Sequence, residues 1–398
     1  MRAAWIVVLA GVSAALHVGK LPPAIVALQQ AMGVTLLQAG FLLSLMQAAG
    51  MTLGLAFGVL ADGLGLKRSM LVGLVLLGAA SLLGATATGV AALMALRAVE
   101  GFGFLLVVLP APGLLRQRVP PDKLNLMLGV WGGYMPFGVA AALLLGPWCI
   151  AALGWRGWWA LLGGVSLATA AWLWHGVPVA LPQGAAAAAA TSTWLQRVRR
   201  TLAAPGPWLV ALAFATYAGQ WMSVIGFLPT IYAGAGVAAA GAGALTAAVA
   251  AVNLLGNLSA GRWMQRGVAP TRLLQTGFAV MGLMAVAAFA RLPGIELGAP
   301  ARFGAVLVFS GVGGIVPATL FALAVRLAPG EDTIATGIGW LQQWSSFGQF
   351  ALPPLVAWVA GRAGGWQFTG WVTAGCALFG WLLARRIGRL MRGAAPRR

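Results

Sequence analysis

Apolar residues run along this chain in unbroken stretches, parted by short segments rich in Gly, Pro and Arg. Stretches of about 20 such residues cross a bilayer, and only helices or closed barrels satisfy their own backbone there. The stretches are continuous and do not alternate between apolar and polar positions, so helices are expected and not barrel strands. Spans are expected at 4–27, 34–60, 68–88, 89–115, 124–152, 155–177, 206–233, 237–262, 268–290, 301–327, 333–361 and 366–388. The expected fold class is an all-α membrane protein of twelve transmembrane helices.

Composition agrees. Of 398 residues, 61% are hydrophobic and 8% are charged, against roughly a quarter charged in soluble domains. The 57 glycines suit membrane helices that approach one another through small residues. A net charge of +19 would suggest nucleic acid in a soluble chain. Its distribution says otherwise. With both termini on one side, 19 of 25 basic residues fall on that side, among them Arg2, Lys67, Arg68, Arg197, Arg199 and Arg200. The other side keeps Arg156, Arg291, Arg302 and Arg362. This is the positive-inside asymmetry, so both termini are expected in the cytoplasm and no nucleic-acid partner is expected. The first stretch is expected to be an uncleaved signal-anchor, since further spans follow it. Cys149 and Cys376 both fall within spans and offer neither a disulfide framework nor metal-ligand spacing. Arginine outnumbers lysine 22 to 3 and alanine is plentiful, which suits a GC-rich bacterial genome and an inner membrane.

Between the second and third spans the chain reads Gly58-Val-Leu-Ala-Asp62-Gly-Leu-Gly65-Leu-Lys67-Arg68. This resembles the loop between the second and third helices of the major facilitator superfamily, whose pattern is close to Gly-x-Leu-Ala-Asp-Arg-x-Gly-Arg-Lys/Arg. Gly63 and Leu66 stand where that family usually has basic residues. The resemblance implies two pseudo-symmetric six-helix bundles, no covalent chemistry and no cofactor. Internal likeness fits such a plan. Arg68 to Gly73 aligns with Arg272 to Gly277, Phe137-Gly138 with Phe347-Gly348, and Gly154-Trp155 with Gly365-Trp366. The expected division is a first bundle over 1–177, a cytoplasmic linker over 178–205 and a second bundle with a short basic tail over 206–398. Within the linker, Trp194 to Leu202 reads either as an amphipathic helix on anionic lipid or as a solvated connection.

The same resemblance gives Asp62, Lys67 and Arg68 a gating role, with the acid attracted to the start of the eleventh helix, which Asp332 and Thr333 would cap. Lys67 and Arg68 are also explained as topology signals alone; Asp62 is not. The second-half counterpart, Gly261-Arg262-Trp-Met-Gln-Arg266-Gly267, has no acid.

Charges within spans are costly. Lys20, Arg97 and Glu100 would together cost about 7–10 kcal/mol facing lipid, so they are expected to face an interior cavity or one another. His17 lies one turn from Lys20, and Arg97 and Glu100 are three apart on one helical face. In the resembled family the first, fourth, seventh and tenth helices line a central cavity. The fourth-span run Arg97-Ala-Val-Glu100-Gly101-Phe-Gly103 is similar to a family motif associated with proton coupling. That likeness makes Glu100 the coupling candidate. Lys20, Arg97 and His17 become substrate-binding candidates, joined from the seventh span by Gln220 and Trp221. A structural ion pair that lets Gly101 and Gly103 pack closely explains Arg97 and Glu100 equally. An imidazole titrates near neutral pH, so His17 is a second titrating candidate, and a packing histidine is the alternative.

No phosphate-binding Gly-x-x-x-x-Gly-Lys-Ser/Thr run occurs, and the buried charges make no catalytic constellation. The expectation is therefore a monomeric, non-enzymatic secondary transporter. It would move a small organic anion or polar solute with a proton or other coupling ion, by uptake more than by efflux. Export of drugs or metabolites against protons is the alternative. The run Met127 to Trp131 and the pair Trp158-Trp159 resemble the cyanate/nitroimidazole permease branch.

Overall fold

The computed structural model describes residues 2–55, 65–178, 193–291 and 297–393, and every regular element among them is helical. Nine helices among the described residues are long and apolar enough to cross a membrane. The longest, Tyr134–Gly176, has extended backbone and positive φ at Gly154 (φ 70°, ψ 171°) and so holds two spans. Ile334–Ala363 and Thr369–Gly393 complete the expected set of twelve.

Several spans are broken where the sequence withdraws a backbone donor or a side chain. The first was expected as one helix over 4–27. It runs instead as Arg2–Gly19, a short 3-10 turn Pro22–Ala24, then Ile25–Met32. Pro22 and Pro23 have no N–H to give the preceding turn, so the α-helix stops just before them. The fourth divides into Val90–Val108 and Ala111–Arg118 around Pro110, and the tenth into Ala299–Gly313 and Ile315–Arg326 at Gly314. The second is Leu36–Ser44, a 3-10 turn Leu45–Gln47 and Ala48–Leu53.

The chain forms two compact units, Met1–Ala186 with Ile225–Ala251, and Ala187–Val224 with Val252–Arg398. In the first, the opening span packs on the fifth and sixth, and the third packs on the fourth and sixth. Close approach depends on missing side chains. A Cβ on Gly73 would lie 2.6 Å from the Gly103 carbonyl oxygen, and one on Gly103 would lie 2.7 Å from that of Gly73. A Cβ on Gly101 would meet the Met46 carbonyl oxygen at 2.5 Å, on the 3-10 turn of the second span. The Gly101–Gly103 pair thus sets the fourth helix against both the second and the third. In the second unit, the ninth helix packs on the tenth and twelfth. Within that unit the linker segment Trp194–Ala203 is helical, opened by a reciprocal cap in which the Thr193 hydroxyl and the Gln196 amide satisfy each other's backbone N–H.

Candidate functional site

The break in the first span prepares a polar site. Where the helix stops, carbonyls that would accept from the next turn are left for other donors. Ala24 N–H turns to the Leu21 carbonyl in the 3-10 geometry, and the Lys20 carbonyl instead accepts from Trp158 Nε1–H at 3.0 Å. The His17 carbonyl accepts from Arg97 Nη1 at 2.8 Å. Arg97 Nε donates to the Leu42 carbonyl on the second span at 3.1 Å. One guanidinium therefore fastens the fourth helix to the first and second.

The expected alternatives for the intramembrane charges, a cavity or one another, are answered by geometry. Lys20 and Arg97 are 0% exposed and Glu100 is 1% exposed, and they meet. Glu100 accepts from Lys20 Nζ through Oε1, and from Arg97 Nη1 at 2.7 Å through Oε2. Lys20 donates also to Ser81 Oγ on the third helix at 2.9 Å and stands 3.3 Å from His17 Nδ1. Its ammonium lies 4.7 Å from the centre of the Trp159 ring, close enough for a cation–π contact. His17 Nε2 is 2.8 Å from Ser166 Oγ, which is 3.2 Å from Ser13 Oγ. The structure thus brings His17, Lys20, Arg97 and Glu100 into one buried cluster within the first unit. With His17 neutral its formal charge is +1. Removing one partner from such a cluster leaves an uncompensated buried charge. Arg97 Nη2 is buried without a hydrogen-bond partner, so the guanidinium keeps two N–H donors free.

Trp158 and Trp159 were noticed in the sequence only as a branch resemblance; here one caps a carbonyl and the other roofs the ammonium. Ser13, Ser81 and Ser166 were not singled out at all. Hydroxyls facing inward from apolar helices are too common to mark a site, and only their places around Lys20 and His17 give them significance.

In the second unit, Trp221 Nε1–H donates to Ser310 Oγ at 3.1 Å. Asn253 Nδ2 donates to the Tyr217 hydroxyl at 3.0 Å and to the Ser310 carbonyl at 2.8 Å. Asn257 Nδ2 in turn donates to Asn253 Oδ1 at 3.1 Å. These bonds join the seventh, eighth and tenth helices without a charge. Gln220, fully buried, donates to the Thr216 carbonyl at 2.9 Å, and its Oε1 has no partner. Gln220 and Trp221 therefore belong to one polar region of the second unit, and they lie in a different unit from the ion cluster.

Of the gating residues, Asp62 lies outside the described residues. Lys67 donates to the Trp174 carbonyl at 2.8 Å, which fastens the third helix to the sixth, and Arg68 is exposed. Thr333 stands at the start of the eleventh helix as expected, but its hydroxyl turns back to the Gly330 carbonyl at 2.7 Å and does not cap the helix. Asp332 pairs with Arg200 of the linker helix at 2.6 Å.

Residues 7–290 match the Major Facilitator Superfamily profile. The chain belongs to this superfamily. Its fold agrees with solved members. A bacterial homologue of the human lysosomal transporter Spinster, inward-facing and unoccupied, superposes with a TM-score of 0.81 at 14% identity, covering 97% of each chain. The transporter FucP in its outward conformation gives 0.65 at 16% identity, over 97% of this chain and 99% of the other. At these identities the likeness is one of fold. Among curated proteins, the tetracenomycin C resistance and export protein of Streptomyces glaucescens is 32% identical over 99 residues, 25% of this chain and 18% of that protein. The protein is a multi-pass membrane protein of the superfamily.

Proposed function

We propose that this protein is a proton-coupled carrier that takes up a small organic anion or polar solute by alternating access. The observation that carries the reading is the ion cluster on the first and fourth spans, buried and net positive. A stable scaffold has no need of that arrangement, because a well-packed apolar substitute is often as stable. Buried ionisable groups in membrane helices mark ion and substrate pathways by default. Glu100, the anion between two cations, is proposed to serve proton coupling as the counter-charge of the cluster. Arg97, with both N–H groups of Nη2 unpaired, is a proposed substrate contact in the first unit. Gln220, with a free carbonyl oxygen, and Trp221 are the proposed contacts in the second. Lys20 has its three N–H groups facing Glu100, Ser81 and His17, so it contributes charge more than direct contact, and His17 supports it. Asp62, Lys67 and Arg68 form the proposed gate.

The carrier is proposed to work as a monomer in a bacterial inner membrane with both termini cytoplasmic. Its bundles would be 1–177 and 206–398, joined by 178–205. Met127 to Trp131 and Trp158-Trp159 favour the cyanate/nitroimidazole permease branch. A second reading, proton-driven export, is favoured by the 99-residue likeness to the tetracenomycin C resistance and export protein.

Proteoliposomes of one orientation separate the two. Radiolabelled small carboxylates, cyanate and hydrophobic cations are offered under an imposed proton gradient. Accumulation of an anion down the proton gradient supports uptake; accumulation of a cation against it supports export. Solute movement indifferent to the gradient would end the proton-coupled reading.

A further inference from the structure

The cluster also contains a route for a proton, and the route has a direction. A lysine ammonium has three donors and no acceptor. The three groups facing Lys20 are Glu100 on the fourth helix, Ser81 on the third and His17 on its own. Trp159 on the sixth helix covers it with a ring, and Arg97 is the remaining charge nearby, paired to the same Glu100. Each branch can be followed to its end. Glu100 is held by two cations, and its Oε1 stands 3.8 Å from His17 Nδ1, so this branch leads only to the same imidazole. Ser81 donates its own hydroxyl proton to the Trp159 carbonyl at 2.7 Å, and a backbone carbonyl is a dead end.

Only the third branch continues. With Nδ1 accepting from Lys20, neutral His17 carries its proton on Nε2. Nε2–H then donates to Ser166 Oγ at 2.8 Å, and Ser166 Oγ stands 3.2 Å from Ser13 Oγ, where its own hydroxyl can donate. Ser13 lies seven residues before Lys20 on the same span, about 10 Å nearer the N-terminal end of the helix. All four members are buried.

We propose that Lys20 is the group that gains and loses the proton, and that His17, Ser166 and Ser13 relay it along the first span. Glu100 stays ionised as the fixed counter-charge. On release, Lys20 gives one Nζ proton to His17 Nδ1, while His17 gives its Nε2 proton to Ser166 Oγ. Ser166 gives its hydroxyl proton to Ser13 Oγ, and Ser13 gives its own to water on the N-terminal side. The net change is ammonium to amine plus one proton. Uptake runs the same transfers backward, which restores every tautomer. Charge favours this choice. Arginine does not deprotonate in proteins, and loss of a proton from Lys20 takes the cluster from +1 to neutral. Protonating Glu100 would leave two bare cations in a medium that penalises them. The inference rests on the proton-coupled reading and says which atoms exchange the proton with one side of the membrane.

The chain has three lysines, Lys20, Lys67 and Lys123, so the test is direct. In protein labelled on lysine side chains, Lys20→Met assigns the Lys20 signal by NMR, and a pH series reads its charge. Lys20 is expected to pass between ammonium and amine while the Glu100 carboxyl, followed in glutamate-labelled protein, stays ionised. Ser166→Ala, and separately Ser13→Ala, are expected to slow exchange between the two Lys20 forms at least about tenfold with the titration midpoint unmoved. Ser166→Thr, which keeps a hydroxyl, is expected to restore the rate. A Lys20 that stays ammonium while Glu100 takes the proton would overturn the proposal, as would an unchanged exchange rate in both alanine variants. The measurement needs no solute. Uptake indifferent to a proton gradient, with Lys20 still titrating through Ser166, would defeat the transport reading and leave the relay standing.

Discussion

The two units meet the same difficulty, polar groups buried inside a membrane protein, in different ways. The first uses ions: one carboxylate held by an ammonium and a guanidinium, with a histidine and serines around it. The second uses neutral groups: Tyr217, Trp221, Asn253 and Ser310, joined by hydrogen bonds. Backbone geometry goes with this difference. The first span stops at Pro22-Pro23, and two carbonyls near the break are taken by Arg97 and Trp158. The seventh span, Pro205–Gly234, runs past Tyr217 and Trp221 without a stop. A carbonyl near a break can take a donor from another helix, which at Ser310 is the neutral Asn253 amide; where the donor is a buried cation, it must have a counter-ion. The neutral network has no group that titrates near neutral pH, so on the proposed reading it would orient a solute and leave the coupling proton to the first unit. That division of labour is the comparison to be broken.

The largest effect is expected at Glu100. Glu100→Gln removes the only anion of the cluster and is expected to cost about 3–5 kcal/mol of stability, with proton-driven uptake lost and solute exchange still measurable. Adding Lys20→Met to Glu100→Gln returns the charge to +1 and is expected to recover a good part of that loss in a thermal melt. If Glu100→Gln melts like the parent, charge balance does not hold the first unit together. In the second unit, Asn253→Leu leaves the Tyr217 hydroxyl and Asn257 without their shared partner. Its expected cost is about 1–3 kcal/mol, above the roughly 0.6 kcal/mol of a single interhelical bond in a membrane because several bonds go at once. A loss as large as that of Glu100→Gln would erase the distinction between ionic and neutral solutions.

Gln220 sharpens the comparison from the functional side. Its Oε1 is buried and unpartnered, and replacing such a group by an apolar one of similar shape is close to neutral for folding. Gln220→Met is therefore expected to change stability by less than about 1 kcal/mol while weakening solute affinity in a binding or uptake assay. Unchanged affinity would return Gln220 to a packing role and remove the second unit's clearest claim on substrate.

The sequence made the spans legible because apolar length and the positive-inside asymmetry act over many residues at once. It also placed Lys20, Arg97 and Glu100 at similar depth and gave the choice between a cavity and mutual pairing. What it did not contain was the meeting of those groups. Lys20 and Glu100 are 80 residues apart, and no pattern in the sequence says that the first and fourth helices meet there. Pro22-Pro23 was present in the sequence, but a proline pair near a span's end reads as an ordinary terminus. Its consequence, free carbonyls for Arg97 and Trp158, appears only when the donors arrive from other helices. Ser81 and Ser166 carried no signal, since an inward hydroxyl usually bonds its own helix, as Ser44 does to the Gly40 carbonyl at 2.9 Å.

The smallest effect is expected where ions are paired in the open. Arg200 of the linker helix and Asp332 before the eleventh helix are 2.6 Å apart, with side chains 48% and 31% exposed. Water screens such a pair, and exposed pairs contribute roughly 0.2–1 kcal/mol. Arg200→Ala is expected to fall in that range, and its effect on a thermal melt should shrink as salt is raised. The buried cluster should not respond to salt in that way, because ions do not reach it. Melting the Arg200→Ala and Glu100→Gln variants across a salt series therefore contrasts the same chemistry in two environments. Equal salt sensitivity would mean that the Lys20–Glu100–Arg97 cluster is in contact with the aqueous phase, and the sealed relay drawn from its geometry would have to be an open one.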